Sequence, residues 1–297
     1  MSAAALLRLL RWPGALTAAA NAVTGFLLVR VSGGAGTLAA GVAAGAAGAL
    51  VYLGGVVLND WADAERDREL HPARPLPSGA VGRSAAGRLA ALLLAAGCGL
   101  AFAVAGPACG AAVTAAAFAA VAYDLVAKRA RLPGSIALAL ARGANAAAGM
   151  LASAGTHDDV LARASDAVVA YPVCVAGYTL LLTYTSTFEG RRISPAAATA
   201  LVTALALPAG LAWPHFPAAW WWAPALALLP LLATLVAAAR EAQVPDGPGI
   251  GALVRAGVFG FLLVDAAWLL GVGWYDAGFW LILAYVALRF LLARLRS

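Results

Sequence analysis

The sequence predicts an all-α, polytopic transmembrane bundle of nine or ten helices. Three observations predict it. The 297 residues are 63% hydrophobic and only 11% charged, where a soluble domain carries about 25% charged residues. The apolar residues run in continuous stretches of roughly 20, the length of a spanning helix, without the alternation of a barrel strand. The basic residues, finally, collect on one side of these stretches. This composition excludes an ordinary soluble globule, a disordered chain and a disulfide-stapled secreted domain. It also excludes nucleic acid as the reason for the net charge of +6, because cytoplasmic loops of membrane proteins gather Lys and Arg on their own account.

Ten apolar segments follow one another, at 13–33, 36–58, 83–104, 106–127, 132–154, 165–188, 194–213, 218–239, 250–270 and 274–293. The first run, from Pro13, is too long and lacks the cleavage site of a removed signal, so it reads as a span. The high Ala and Gly content suits close helix packing in lipid. Cys98, Cys109 and Cys174 sit in apolar runs without metal-ligand spacing and read as small buried hydrophobes. With the N-terminus inside, the inner segments are 1–12, 59–82, 128–131, 189–193, 240–249 and 294–297. All of the 20 basic residues except Arg30, Arg142 and Arg163 then fall in or beside inner segments. Trp213, Trp220, Trp221, Trp222 and Trp274 fall near the opposite boundary, as an aromatic belt does. Both termini lie inside if there are ten spans. The 241–249 stretch reads as a turn, and the polar outer loop 156–166 carries no motif. Residues 1–297 read as one domain.

The most polar stretch is the first inner loop, LNDWADAERDRELHPARPLPSG, at 58–79. Asn59, Asp63 and Asp67 are spaced i, i+4, i+8, and Asp60, Asp63 and Asp67 are spaced i, i+3, i+7. Either spacing gathers carboxylates on one helix face. Converging carboxylates repel one another without a cation, and Mg²⁺ is held by one or two carboxylates plus substrate phosphates. The simpler alternative is a solvated acidic helix end paired with Arg66 and Arg68. Against it stands the run Arg74-Pro75-Leu76-Pro77-Ser78-Gly79. A guanidinium fork suits phosphate, on a turn that the prolines stiffen and the glycine relaxes. Two lone polar residues inside spans also call for a partner or a cavity. Asn21 either faces a cavity or joins helices, and Asp265 is open in the same way. Arg142 lies about ten residues into a span, roughly 15 Å deep. It and Asn145, at i and i+3, are expected to face a central cavity.

The run Asn59-Asp60-x-x-Asp63-x-x-x-Asp67 followed by Arg74-Pro75-Leu76-Pro77-Ser78-Gly79 resembles the first Asp-rich motif of the UbiA superfamily of intramembrane prenyltransferases, and the order of the spans fits most of the chain. The resemblance implies a bundle around a central cavity under a polar cytoplasmic cap. Two Asp-rich motifs there hold Mg²⁺ and the diphosphate of a polyprenyl donor. By this resemblance Asn59, Asp60, Asp63 and Asp67 are metal ligands, and Asp63, Asp67 and Lys128 are catalytic. Asn21, Arg74, Tyr123, Lys128, Arg142, Asn145, Glu189 and Arg191 bind substrate. Tyr123 to Lys128 resembles the family's Tyr-x-x-x-x-Lys segment. The location implied is the plasma (inner) membrane. The partners implied are the donor, an unknown lipophilic acceptor and membrane lipid, with no obligate protein partner.

The second motif, at 183–192, departs from the pattern. Where the family carries Asp before and after a Glu-Gly pair, this chain has Tyr184 and Arg191, and only Glu189-Gly190 matches. Such a degenerate motif resembles the EboC-like branch. One metal on the first motif plus Arg191 on the diphosphate is a chemically reasonable substitute for two metals. The alternatives are a non-catalytic isoprenoid-lipid binding or transport-assisting protein, and an isoprenoid cyclase. No acceptor base stands out. His71 is a spacer in the loop, and His157 and His215 belong to the far side. The tenth segment also exceeds the family's usual nine helices.

Overall fold

Each expected segment contains a helix, and the described part of the chain has no strands. The computed structural model describes residues 2–154, 166–189, 191, 193–210, 222–244 and 249–294. The outer loop at 156–165, Arg163, Gly190, Arg192, Arg296, His157, His215, Trp213, Trp220, Trp221 and positions 245–248 lie outside them. Twelve α-helices are described, α1 Ala3–Leu10, α2 Pro13–Val31, α3 Leu38–Ala62, α4 Ala64–Leu70, α5 Arg83–Leu100, α6 Pro107–Leu125, α7 Arg131–Ala154, α8 Asp166–Ser186, α9 Pro195–Gly210, α10 Ala225–Glu241, α11 Ile250–Gly271 and α12 Tyr275–Arg294. Seven described helices are long and apolar enough to cross a bilayer, by length and composition.

Local chemistry sets the ends that matter for the site. Ser2 caps α1, its hydroxyl accepting from the Ala5 amide at 3.2 Å. Pro13 opens α2, where its missing N–H is not needed. The helix α3 runs to Ala62, beyond the expected end at 58, so Asn59 and Asp60 form its last turn. At Asp63 the chain bends into α4 but keeps its hydrogen bonding, with the Asp63 amide donating to Asn59 O at 2.9 Å and the Asp67 amide to Asp63 O at 2.9 Å.

The helices α2, α3, α6 and α7 pack together, and α2 also leans on α11. The contact of α2 with α7 uses glycine on both sides. A Cβ at Gly25 would run into the Ala146 carbonyl oxygen, and one at Gly149 into the Ala22 carbonyl oxygen. Bare backbones are what allow so close an approach. Gly149→Ala must push α2 away from α7, and overpacking of this kind costs about 1–3 kcal/mol. We expect a lowered midpoint in a thermal denaturation of the detergent-solubilised protein.

The largest core cluster joins α8, α10, α11 and α12 around Tyr171, Tyr178, Phe261 and Trp268. Tyr171 and Trp268 meet edge to face with ring centroids 5.4 Å apart, and Tyr178 and Phe261 at 4.7 Å. Cys109 and Cys174 are buried, Cys98 is half-buried, and all three are free thiols. Of the basic residues outside the inner segments, Arg30 donates to Gly36 O at 2.6 Å, and Arg142 belongs to the site below.

Candidate active site

Two joined cavities occupy one end of the bundle and its interior. The outer, of about 590 Å³, is a vestibule built by the end of α3, by α4, by the loop that follows and by the end of α6. Among its lining residues are six cations (Arg11, Arg66, Arg74, Arg83, Lys128 and Arg129) and three carboxylates (Asp63, Asp67 and Asp124). The inner, of about 320 Å³, is a largely apolar chamber lined by residues such as Ala18, Gly48, Val51, Gly55, Ala116, Leu182 and Phe261. Arg11, Asn59, Tyr123 and Asp124 line both.

The i, i+4, i+8 set of the first loop does face the vestibule. Successive members of that set drift by about 40° on a helix of 3.6 residues per turn, whereas Asp60 stands about 100° from Asn59. Asp60 accordingly lines the vestibule nowhere. It is buried, 3% exposed, and takes the Arg11 guanidinium at 2.5 Å. Asp60 thus lies behind the vestibule lining, in a neighbouring cavity that it shares with Arg11, His71 and Arg74.

Each remaining carboxylate already has a cation. Asp67 accepts from Arg74 at 2.6 Å, and Lys128 Nζ lies 2.9 Å from Asp63 Oδ1. The same ammonium donates to Asn59 Oδ1 at 3.1 Å and stands 3.8 Å from Asp124. The loop presents Arg74 because the Ser78 amide bonds back to Arg74 O and the Val81 amide to Pro75 O, with Gly79 turning at φ +76°. Val81 and Leu76 then pack beside Leu9 of α1 and Val57 of α3. Arg68 pairs with Glu65 at 2.6 Å and not with a motif aspartate, so the paired acidic helix end describes only the outer face of α4.

Mg²⁺ is the metal the donor set suits. Among the described residues no three His, Cys, Asp or Glu side chains are grouped to hold an ion by themselves. Asn59, Asp63 and Asp67 nevertheless offer hard oxygens to one cavity, and a few such oxygens together with substrate phosphates are the usual ligand set of Mg²⁺.

Arg142 and Asn145 line the chamber. The guanidinium donates from Nη2 to Thr17 Oγ1 at 2.5 Å, sits 4.4 Å from the Phe261 ring centroid and 5.6 Å from that of Tyr52, and its Nη1 has no hydrogen-bond partner among the described residues. Asn145 donates to Ala18 O at 2.8 Å. Three expected site residues are not brought here. Asn21 lines neither cavity; it is fully buried and donates to both oxygens of Asp265, at 2.8 and 2.9 Å. Glu189 and Arg191 line neither cavity as well. Glu189 Oε1 lies beside Gly251, and the Arg191 guanidinium stacks 5.6 Å over Phe188 while its carbonyl accepts from the Ile250 amide.

Sequence reasoning missed Arg11 and Asp124. Arg11 was counted only as an inner positive charge. Asp124 stands four residues before Lys128 at the end of an apolar run, a spacing that brings acid and base together on a helix and that marks it as a buried partner.

The family model for UbiA prenyltransferases matches residues 12–248, most of the chain. The chain belongs to the UbiA prenyltransferase family. Its seven described long apolar helices make it an integral membrane member of that family. Digeranylgeranylglyceryl phosphate synthase of Ignicoccus hospitalis is 40% identical over 111 residues, which are 37% of this chain and 36% of that relative. The match thus spans little more than a third of the relative's length. A UbiA homologue of Archaeoglobus fulgidus solved with GPP and Mg²⁺ superposes with a TM-score of 0.54 at 15% identity, covering 94% of this chain and 99% of the other. The apo UbiA homologue of Aeropyrum pernix K1 gives 0.55 at 20% identity, with 84% and 96% covered. At these identities the likeness speaks for the fold, which this chain shares along nearly its whole length.

Proposed function

We propose that this prenyltransferase moves a prenyl group from a polyprenyl diphosphate to a lipophilic acceptor inside the membrane, with Mg²⁺ bound at Asn59, Asp63 and Asp67. One observation carries the reading. A vestibule lined by twice as many cations as carboxylates opens, past Asn59, Tyr123 and Asp124, into a chamber lined mainly by apolar and small side chains. Only a ligand with a polyanionic head and a hydrocarbon tail matches both halves. We assign the vestibule to the cytoplasmic face of the plasma (inner) membrane, because the basic residues gather at that end.

Lys128 and Arg74 turn from Asp63 and Asp67 to the diphosphate oxygens, so the carboxylates are left to face the metal. Bound Mg²⁺ supplies Lewis-acid neutralisation of the departing diphosphate. The allylic C–O bond breaks with its electron pair going to the diphosphate, and Lys128, Arg74 and Arg11 hold the charge that develops there. The apolar walls of the chamber keep water from the cation. The acceptor's nucleophile forms the new bond and releases its proton. Purified protein should therefore release diphosphate from at least one donor in a screen across chain lengths, lose this activity in EDTA and regain it with Mg²⁺. Release that persists in EDTA would refute the metal.

Chamber size sets the tail it accepts. A Cβ at Gly55 meets only the Ala120 Cβ, at 3.6 Å, an ordinary contact. The Cβ of Gly55→Leu therefore meets no backbone, and the rest of the side chain takes up part of the chamber that Gly55 lines. We expect its preferred donor to be shorter than the parent's, read as the ratio of kcat/KM between a long and a short prenyl diphosphate.

One observation favours a second reading, a protein that binds isoprenoid lipids without turning them over. Among the described residues the second motif contributes no side chain to the vestibule, since Glu189 and Arg191 lie elsewhere. A protein that is thermally stabilised by prenyl diphosphates yet releases diphosphate from none of them supports that reading.

A further inference from the structure

A third cavity, of about 160 Å³, lies between the end of α10, the first turns of α11 and the second half of α12, and it shares no lining residue with the vestibule or the chamber. Its polar side chains include Arg255, Arg289 and Glu241, set against an apolar wall that includes Phe259 and Leu292. Arg255, Arg289 and Glu241 are all exposed, and none has an ion-pair partner among the described residues.

Its level in the bundle follows from contacts. Arg255 Nη1 and Glu189 Oε1 both lie beside Gly251. Glu189 follows Phe188, over whose ring Arg131 stacks at 4.6 Å, and Arg131 opens α7 next to the turn that carries Lys128 and Arg129. The cavity therefore sits at the vestibule end of the bundle, at the level of lipid headgroups. Toward the middle of the same two helices, Leu232 and Val236 on α10 and Val286 on α12 are exposed, an apolar flank for acyl chains.

We propose that this cavity binds a phospholipid headgroup, phosphatidylethanolamine being the occupant whose chemistry it matches. Two guanidinium forks without ion-pair partners among the described residues suit the phosphate diester, and basic pockets between spanning helices at this level hold lipid heads. Glu241 repels a bare phosphate but accepts from an ammonium, so the carboxylate selects a head that can donate a hydrogen bond. A choline head has no such donor.

Native mass spectrometry of the detergent-solubilised full chain tests this, with phosphatidylethanolamine and phosphatidylcholine of identical acyl chains and, separately, inorganic phosphate. A hydrogen bond to a charged group is worth about tenfold in affinity, so ethanolamine lipid should be retained about tenfold more than choline lipid. The paired substitution Arg255→Ala with Arg289→Ala should remove most bound lipid of either kind. Glu241→Ala should keep binding and bring the ethanolamine-to-choline ratio near one. Equal retention of the two lipids by the parent protein overturns the proposal, as does undiminished binding in the double variant. Displacement of the lipid by millimolar inorganic phosphate assigns the cavity to free phosphate and overturns it too. None of these readouts depends on prenyl transfer.

Discussion

Asp63→Ala is expected to lower diphosphate release by at least about 10²-fold while leaving the protein folded, because the interaction lost is one that neutralises charge developing in the transition state. Asp63 is the middle member of the Asn59, Asp63, Asp67 set that faces the vestibule, and it is the carboxylate that Lys128 touches at 2.9 Å. Its side chain is 24% exposed, and Lys128 retains Asn59 at 3.1 Å when it is removed. No buried charge is left stranded, so thermal stability should stay near that of the parent. Asp60 supplies the contrast. Its carboxylate is paired with Arg11 and does not itself line the vestibule, so Asp60→Asn should cost less activity than Asp63→Asn. Diphosphate release measured on both pairs at saturating Mg²⁺ settles the order. Equal losses at positions 60 and 63 would count against the vestibule as the place where the metal binds.

The contrast between these two aspartates also marks what the sequence could and could not reveal. Apolar run length and charge placement are one-dimensional quantities, and they located the helices to within a few residues, apart from the start of α10 at Ala225 where 218 was expected. The spacing of Asn59, Asp63 and Asp67 likewise predicts one face, and that face lines the vestibule. Spacing alone did not reveal that Asp60 would be claimed by Arg11, since that pair spans 49 residues and depends on how α1 folds back over the loop. Asn21 and Arg142 pose the same problem in reverse. Both are lone polar residues in apolar runs, so both signal a partner or a cavity, but only packing decides which. Arg142 lines the chamber, and Asn21 meets a carboxylate 244 residues away. The second motif was legible as a departure, and the displacement of Glu189 and Arg191 toward α11 is consistent with its missing acids. A position that holds no polyanion is under no demand to converge on the vestibule.

The buried partner of Asn21 gives the second large effect, this time on stability. Asp265 is fully buried in α11, where it accepts from Asn21 at 2.8 and 2.9 Å and from the Tyr171 hydroxyl at 2.6 Å. It thereby ties α2, α8 and α11 together at a depth where water offers no substitute. Asp265→Ala removes the one partner that the Asn21 amide has among the described residues, where its own Oδ1 already has no hydrogen bond. Tyr171 can still donate to Asn21 O at 3.1 Å. Leaving one buried donor unpaired and weakening another costs about 2–4 kcal/mol, a clear drop in the thermal midpoint of the solubilised protein. Asp265→Asn should behave differently. Its amide oxygen, in the place of Oδ1, still accepts from Tyr171 and Asn21, while its new amide, in the place of Oδ2, faces the Asn21 Nδ2 donor at 2.9 Å until the Asn21 side chain rotates. Removing a buried charge also relieves its desolvation cost, set against a weaker attraction for Arg142, with which Asp265 interacts electrostatically. These effects oppose one another, and the midpoint should move by less than about 1 kcal/mol equivalent. Diphosphate release in the same variant separates structure from chemistry. If Asp265 only joins helices, the Asn variant keeps its activity along with its stability. A stable but inactive Asp265→Asn would instead mean that the charge itself reaches the chamber through Arg142.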